Sequence, residues 1–370
     1  MPRGSFVSVG REGLEAPLPL ATRSRANQVA LRAPGRSEPA RTEAIIEDLA
    51  ASTCPVVAFK AAVLAGDPAA AVALRERIAS SAMAAALLSG RESDGTIATH
   101  AYRKWQGPHW TLCSLALIDY PPGDESLRPI LEQVHRWLLP RELPGRRTPP
   151  GESERARFCA SLEGNAIWYS VRLGLDDERT DLLARRLVRW QWPDGGWNCD
   201  AMPGTVTSSF QETAIPLRGL WAWWQRTGDA PARDAAERAE ELLLSRRLLW
   251  HRGDGSLIRP DWGGAVERIH YPIQFYDVLF ALEVMAESGH VGDPRCNDAV
   301  ALLESKRLAD GGFPLEEPNA RQAHTIESRA SFADWGPAGH RRSNPLVSLE
   351  AFRVLEARGR VASVPTPDRD

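Results

Sequence analysis

Histidine, carboxylate and tryptophan side chains gather in this chain in combinations that can move protons beside an apolar surface. His270 and Asp277 flank one short run of mixed character, and Glu212 holds the matching place in an earlier segment. Imidazole titrates near neutrality and is the commonest proton carrier, so His270 with Asp277 or Glu212 forms the candidate catalytic set. Trp105, Trp110 and Trp168 offer π-faces that can stabilise a cation. His109, Glu163, Gln211 and Tyr271 join them as candidate substrate-binding residues, as do Gln274, Tyr276, Asp334 and Arg341. Aromatic groups with a few polar ones around a concave space are typical of small-molecule sites, and Arg341 beside Arg342 can clamp a phosphate or carboxylate. A structural role competes for each residue. Carboxylates in the first turn of a helix are stabilised by its dipole, and a histidine is often only a satisfied hydrogen-bonding group.

These residues fall at the starts of apolar helical stretches, and the stretches recur. An Asp-Gly marker appears as "SDGTIATH" at Asp94, "PDGGWNCD" at Asp194, "GDGSLIRP" at Asp254 and "ADGGFPLE" at Asp310, with a degenerate copy expected in the Pro- and Gly-rich loop near residue 145. The implied period of roughly 50–60 residues lies at the upper end for repeat architectures. Before each marker runs an amphipathic stretch with basic residues in its last turns, such as "TDLLARRLVRWQW". After each comes an irregular segment and then a helix apolar on most sides, such as "FYDVLFALEVMAE", which must be buried on most sides. The spacing predicts six outer and six inner helices, an all-α (α/α)6 toroid of six hairpins, with inner-helix N-termini converging on one end of a central cavity where their dipoles favour anions. Little Val, Ile and Thr alternation is visible, so no strand is needed. Trp221, Trp223 and Trp224 fall near the far end of one inner helix and read as packing between hairpins, or else as the floor of an apolar site.

The domain organisation follows. Residues 1–40 read as a disordered, basic and Pro-rich N-terminal arm, residues 41–360 as a single toroid domain and residues 361–370 as a C-terminal tail. With 370 residues, 43% hydrophobic and 25% charged, the chain can bury a large core. A net charge of −3 gives no electrostatic case for nucleic acid. There is no run long enough for a transmembrane segment and no signal-peptide pattern. The five cysteines are scattered, which fits a reducing cytoplasm and no disulfide framework. Lys60, Lys104 and Lys306 are the only lysines among many arginines, a skew of the kind a GC-rich bacterial genome imposes.

The segment "QWPDGGW" from Gln191 to Trp197 resembles the glutamine-tryptophan repeat of squalene cyclase and other class II terpenoid cyclases, and "ADGGFPLE" resembles the Gly-Gly-Phe turn of protein prenyltransferase β subunits. The resemblance spans about residues 55–358 and implies the toroid, with an isoprenoid or other apolar small molecule in its cavity. The catalytic motifs of those families are missing. No Asp-x-Asp-Asp segment occurs, and the nearest, Asp176, Asp177 and Asp181 in "GLDDERTD", reads as helix capping. The prenyltransferase resemblance would imply zinc on Asp, Cys and His ligands at inner-helix starts, where only His270 matches; Cys199 reads as a buried structural cysteine. No metal or cofactor is therefore expected. A terpenoid cyclase-like or prenyltransferase-like protein acting on an apolar molecule is the leading expectation. A non-catalytic scaffold on the same barrel and a carbohydrate-active (α/α)6 enzyme are the alternatives.

Overall fold

The computed structural model describes residues 38–140, 155–200, 202, 204–253, 255–258, 265–272, 275–318 and 331–362. Positions 1–37 and 363–370 of the expected arm and tail, the loop near residue 145, Asp254 and Gln274 lie outside the described residues. The described residues are mainly helical. Six helices form an inner set: α2 (Pro55–Leu64), α5 (Pro108–Leu117), α7 (Ala160–Arg172), α9 (Phe210–Thr227), α11 (Val278–Glu287) and α13 (Pro345–Ala362). Around them lie α1 (Glu38–Ala50), α3 (Pro68–Ile78), the short α4 (Ala82–Leu87), α6 (Arg128–Leu138), α8 (Glu178–Arg189), α10 (Ala230–Ser245) and α12 (Asn297–Ser305). No helix among the described residues is long and apolar enough to cross a membrane.

Side-chain pattern separates the two sets. Every residue of α5 is buried, as is all of α11 from Val278 to Met285, because these helices have neighbours on all sides. α6 instead buries Ile130, Leu131, Val134, His135 and Leu138, one stripe at helical spacing. The inner helices touch in the order α5, α7, α9, α11, α13, α2, and α6, α8, α10 and α12 pack on α5, α7, α9 and α11, while α1 and α3 pack on α2. One departure from a purely helical expectation is a parallel pair of two-residue strands, β1 (His270–Tyr271) and β2 (Glu317–Pro318), which ties two inter-helix segments together.

Two of the Asp-Gly turns act over longer range than a turn alone requires, whereas Asp94 bonds to Thr96 within its own turn. Asp194 accepts the Ser208 N–H at 2.8 Å and the Ser208 hydroxyl at 2.6 Å, and Asp310 accepts the Ser343 hydroxyl at 2.7 Å. Ser208 and Ser343 stand immediately before Ser209 and Asn344, and the side chains of those two accept backbone N–H groups in the first turns of α9 and α13. Each aspartate therefore fixes where the next inner helix begins. Gly195 has φ of +98°, and a Cβ on Gly196 would lie 2.3 Å from Thr213 Oγ1, so the second glycine is a packing requirement. Trp197 is fully buried, with its Nε1 donating to the Leu187 carbonyl at 3.1 Å.

α7 and α9 approach most closely at glycines. A Cβ on Gly219 would sit 2.4 Å from the Gly164 carbonyl oxygen, and one on Gly164 would sit 2.7 Å from the backbone of Pro216. Backbone cannot yield as a flexible side chain can. Gly219→Ala is expected to cost about 1–3 kcal/mol, the range for overpacking, read as a lowered denaturation midpoint at constant m-value. An unchanged midpoint would show that the helices can separate freely.

Candidate functional site

The starts of the inner helices, where the sequence places activity, are filled by their own side chains. Trp105 and Trp110 are buried in an edge-to-face pair at 4.7 Å, and Lys104 Nζ already lies 5.0 Å from the Trp105 ring and 5.9 Å from that of Trp110. Their faces serve an internal cation. His109 is fully buried with Nδ1 3.2 Å from the Tyr169 hydroxyl, and burial pushes its pKa down to about 3, so it stays neutral at physiological pH. Glu163 pairs with Arg186 at 2.9 Å. Gln211 Oε1 accepts the Tyr276 N–H at 2.7 Å, while the Tyr276 hydroxyl donates to the Leu248 carbonyl at 2.9 Å. Asp334 accepts the Gly336 N–H at 2.9 Å, and Arg341 is exposed.

The three candidate catalytic residues divide between two places. Asp277 caps α11, accepting the Phe280 N–H at 2.8 Å and the His270 N–H at 2.6 Å. His270 Nδ1 is 3.4 Å from Asp277 Oδ2, and Nε2 is 3.3 Å from Glu317 Oε2, ion-pair distances without hydrogen-bond geometry at either nitrogen. Burial disfavours the imidazolium, but Asp277 and Glu317 outweigh it and raise the pKa. Glu212 has other partners: its carboxylate accepts the Ser161 N–H at 2.8 Å and the Ser161 hydroxyl at 3.0 Å, and it stands beside Cys159 and Cys199. Cys199, expected as a buried structural cysteine, is only half-buried, and Cys159 is exposed.

A cavity of about 380 Å³ opens at the opposite end, among the C-terminal halves of the inner helices and the middle of α13. Phe59, Leu117, Trp168, Trp221 and Leu349 give it an apolar wall, and Lys60, Asp119, Arg218, Glu283, Glu287, Glu350 and Arg353 give it charge. Cations are favoured where helix C-termini converge. Lys60 Nζ bridges Asp119 Oδ2 at 2.7 Å and Glu350 Oε1 at 2.8 Å. Asp119 also accepts from Arg172, and it is held in position by a left-handed backbone, φ 56°, just past the end of α5. Arg353 Nε donates to the other Glu350 oxygen at 2.9 Å. Arg218 forks onto Glu287 at 2.6 and 2.7 Å, stacks 3.8 Å from the Trp168 ring, and keeps a buried Nη1 with no hydrogen bond among the described residues.

No family model matches the chain, and no curated protein matches it. What the site can do therefore follows from its own electrostatics.

Glu283 is the exception in the network. It has neither a hydrogen bond nor an ion pair among the described residues, and burial, reinforced by the nearby Glu350 charge, pushes its pKa up to about 8. Burial also opposes ionisation of Glu350, yet Lys60 and Arg353 overcome it and hold that carboxyl well below the usual range. Asp119 is lowered in the same way by Lys60 and Arg172. A neutral carboxyl thus faces ionised ones, and carboxyls whose surroundings push their pKa values apart are how one site supplies both an acid and a base. Of the sequence candidates, Trp168 lines this cavity, while His270 and Tyr271 line a small cleft that shares Leu117, Arg218 and Glu283 with it. The Tyr271 hydroxyl is buried without a hydrogen bond among the described residues, and burial raises its pKa.

Lys60, Asp119, Arg218, Glu283 and Glu350 are absent from the sequence-derived set. Each is a charge inside or just past an otherwise apolar helix, in "VVAFKAAVL", "LALIDY", "IPLRGL", "FALEVMAE" and "VSLEAF". Charged residues are almost never fully buried unless paired, and that was the available signal.

Proposed function

We propose that the chain is an enzyme on an (α/α)6 toroid of the terpenoid cyclase and prenyltransferase kind, and that it carries out proton-transfer chemistry on a small molecule in this cavity with Glu283 as the proton donor. The observation that carries the reading is Glu283, buried in the cavity wall with no hydrogen bond or ion pair among the described residues, beside Glu350, which Lys60 and Arg353 hold; burial and the Glu350 charge favour the neutral form of Glu283. The order of inner-helix contacts supports the ring, as does Lys60, which ties α2 both to Asp119 and to α13.

The lining favours a molecule with an apolar body and a polar or anionic head, since the wall is partly aromatic and aliphatic while five cations, counting Arg75 and Arg172, face four carboxyls of which one is neutral. An isoprenoid of short length meets that description. Carbohydrate enzymes stack sugars on open tryptophan faces, but Arg218 covers the face of Trp168. A scaffold reading requires a filled barrel, and a cavity of about 380 Å³ speaks against it.

The reading is tested by mass spectrometry of small molecules extracted from the purified protein and from Ala222→Phe, a substitution that adds a ring into the cavity from a half-buried wall position. A partly apolar compound present in the parent and lost from the variant is expected. Parent protein that carries nothing, and that gains no thermal stability from a panel of isoprenoid alcohols and diphosphates, would favour the scaffold.

A further inference from the structure

We propose that Cys159, Cys199 and Glu212 form a binding site for one borderline-soft divalent cation, zinc above all, with a fourth position left to water or another ligand. One ligand atom from each residue lies within 4.8 Å of the other two. The three come from different elements: Cys159 is the residue before α7, Cys199 follows the Trp197 turn, and Glu212 sits in the first turn of α9. The site is separate from the Glu283 cavity, whose lining includes none of them.

The surroundings hold these groups as a metal site requires. An isolated parallel bridge pairs Arg157 with Asn198, which lays the Cys159 and Cys199 segments side by side. The Arg157 guanidinium donates to the Asp200 carbonyl at 2.6 Å and to the Thr205 carbonyl at 2.7 Å, and Asn198 Nδ2 donates to the Thr207 carbonyl at 2.9 Å, so the loop carrying Cys199 is fastened on both sides. Glu212 is oriented by the Ser161 N–H and hydroxyl, the kind of outer hydrogen bonds that aim a ligating carboxylate.

The donor set selects the ion. Two thiolates exclude calcium and magnesium, which take oxygen ligands, and match zinc. Three protein ligands with one open position are the arrangement of zinc sites that bind and polarise a further molecule, whereas structural sites close with four. Cys159 is exposed, so that position is accessible.

The test uses the full chain, reduced, stripped with a chelator and reloaded with Zn²⁺ or Co²⁺ before gel filtration and elemental analysis. About one equivalent of metal per chain is expected, and the cobalt form should show a thiolate-to-metal charge-transfer band. Cys159→Ser and Cys199→Ser should each reduce that band by about half, and Glu212→Gln should weaken zinc binding by more than the roughly 10–100-fold that loss of an outer hydrogen-bond partner costs, while leaving the band's thiolate count unchanged. Trace metal only, or equal loading of the Cys159→Ser/Cys199→Ser double variant, would overturn the proposal. So would a cobalt spectrum of the parent without thiolate bands, a result that needs no variant to fold. A Cys159–Cys199 disulfide in protein that stays metal-free after reduction would also overturn it and identify the pair as redox-active.

Discussion

Lys60→Met is expected to destabilise the protein by about 3–5 kcal/mol at pH 7, the cost of breaking a buried ion pair by removing one partner. The lysine side chain is 12% exposed, and each of its two carboxylate partners is 10% exposed. Methionine fills the same space but leaves Asp119 and Glu350 with only Arg172 and Arg353 as counter-charges. The pH dependence distinguishes this cause from simple misfit. In the parent, both carboxyls have folded pKa values below their unfolded ones, so their stabilisation is present above the unfolded range and is lost as pH falls through the folded values. Without Lys60 that stabilisation is largely gone. The gap between variant and parent should therefore be narrower at pH 3 than at pH 7, with most of the change below pH 4, and adding Glu350→Gln should recover part of it at pH 7. Equal gaps in urea denaturation at both pH values would assign the loss to packing.

Glu283→Gln carries the opposite sign. Glutamine mimics the neutral carboxyl, and the folded pKa of Glu283, about 8, lies above the ordinary carboxyl value of 4.5. Between those values the folded chain keeps a proton that the unfolded chain has released, so the parent loses stability as pH rises through the window and levels off above it. The variant has no such slope. It should match the parent near pH 4.5 and exceed it by roughly 4 kcal/mol at pH 8, while an infrared band of a neutral carboxyl present at pH 7 in the parent should vanish. Turnover of any substrate should fall by about 10²–10⁴-fold, the usual contribution of a general acid. More stability with less activity is the signature of a site whose acid is held in an unfavourable environment. A pH-independent stability difference would mean that Glu283 is ionised throughout, and the proposed proton donor would be lost with it.

The helices were legible because burial writes itself into composition. α5 and α11 are apolar around their circumference and α6 along one stripe, and both patterns survive without knowledge of their neighbours. The location of the open cavity was not legible. Long polar loops precede the inner helices, which draws attention to their starts, yet Lys104 covers Trp105 and Trp110 there and Arg186 occupies Glu163. At the other end, Lys60 and Glu350 are 290 residues apart in sequence, and no spacing argument reveals that they meet. Trp221, read as hairpin packing with a ligand floor as the alternative, does line the cavity. The approach of Cys159 to Cys199, which reads in the sequence only as a buried structural cysteine, is hidden for a related reason, since a loop fastened by Arg157 brings the two together and no short motif joins them.

The bond between Lys60 and Glu350 also has a consequence in time. A ribosome delivers α2 long before α13, so a growing chain carries Lys60 through the synthesis of 290 further residues until Glu350, its second carboxylate partner, arrives. The apolar side of α2 that packs on α13 stays uncovered over the same interval, a situation in which chains become prone to association and draw on chaperones. Nascent chains stalled before Pro345 should accordingly be protease-sensitive across α2, and release of α13 should protect this segment made far earlier.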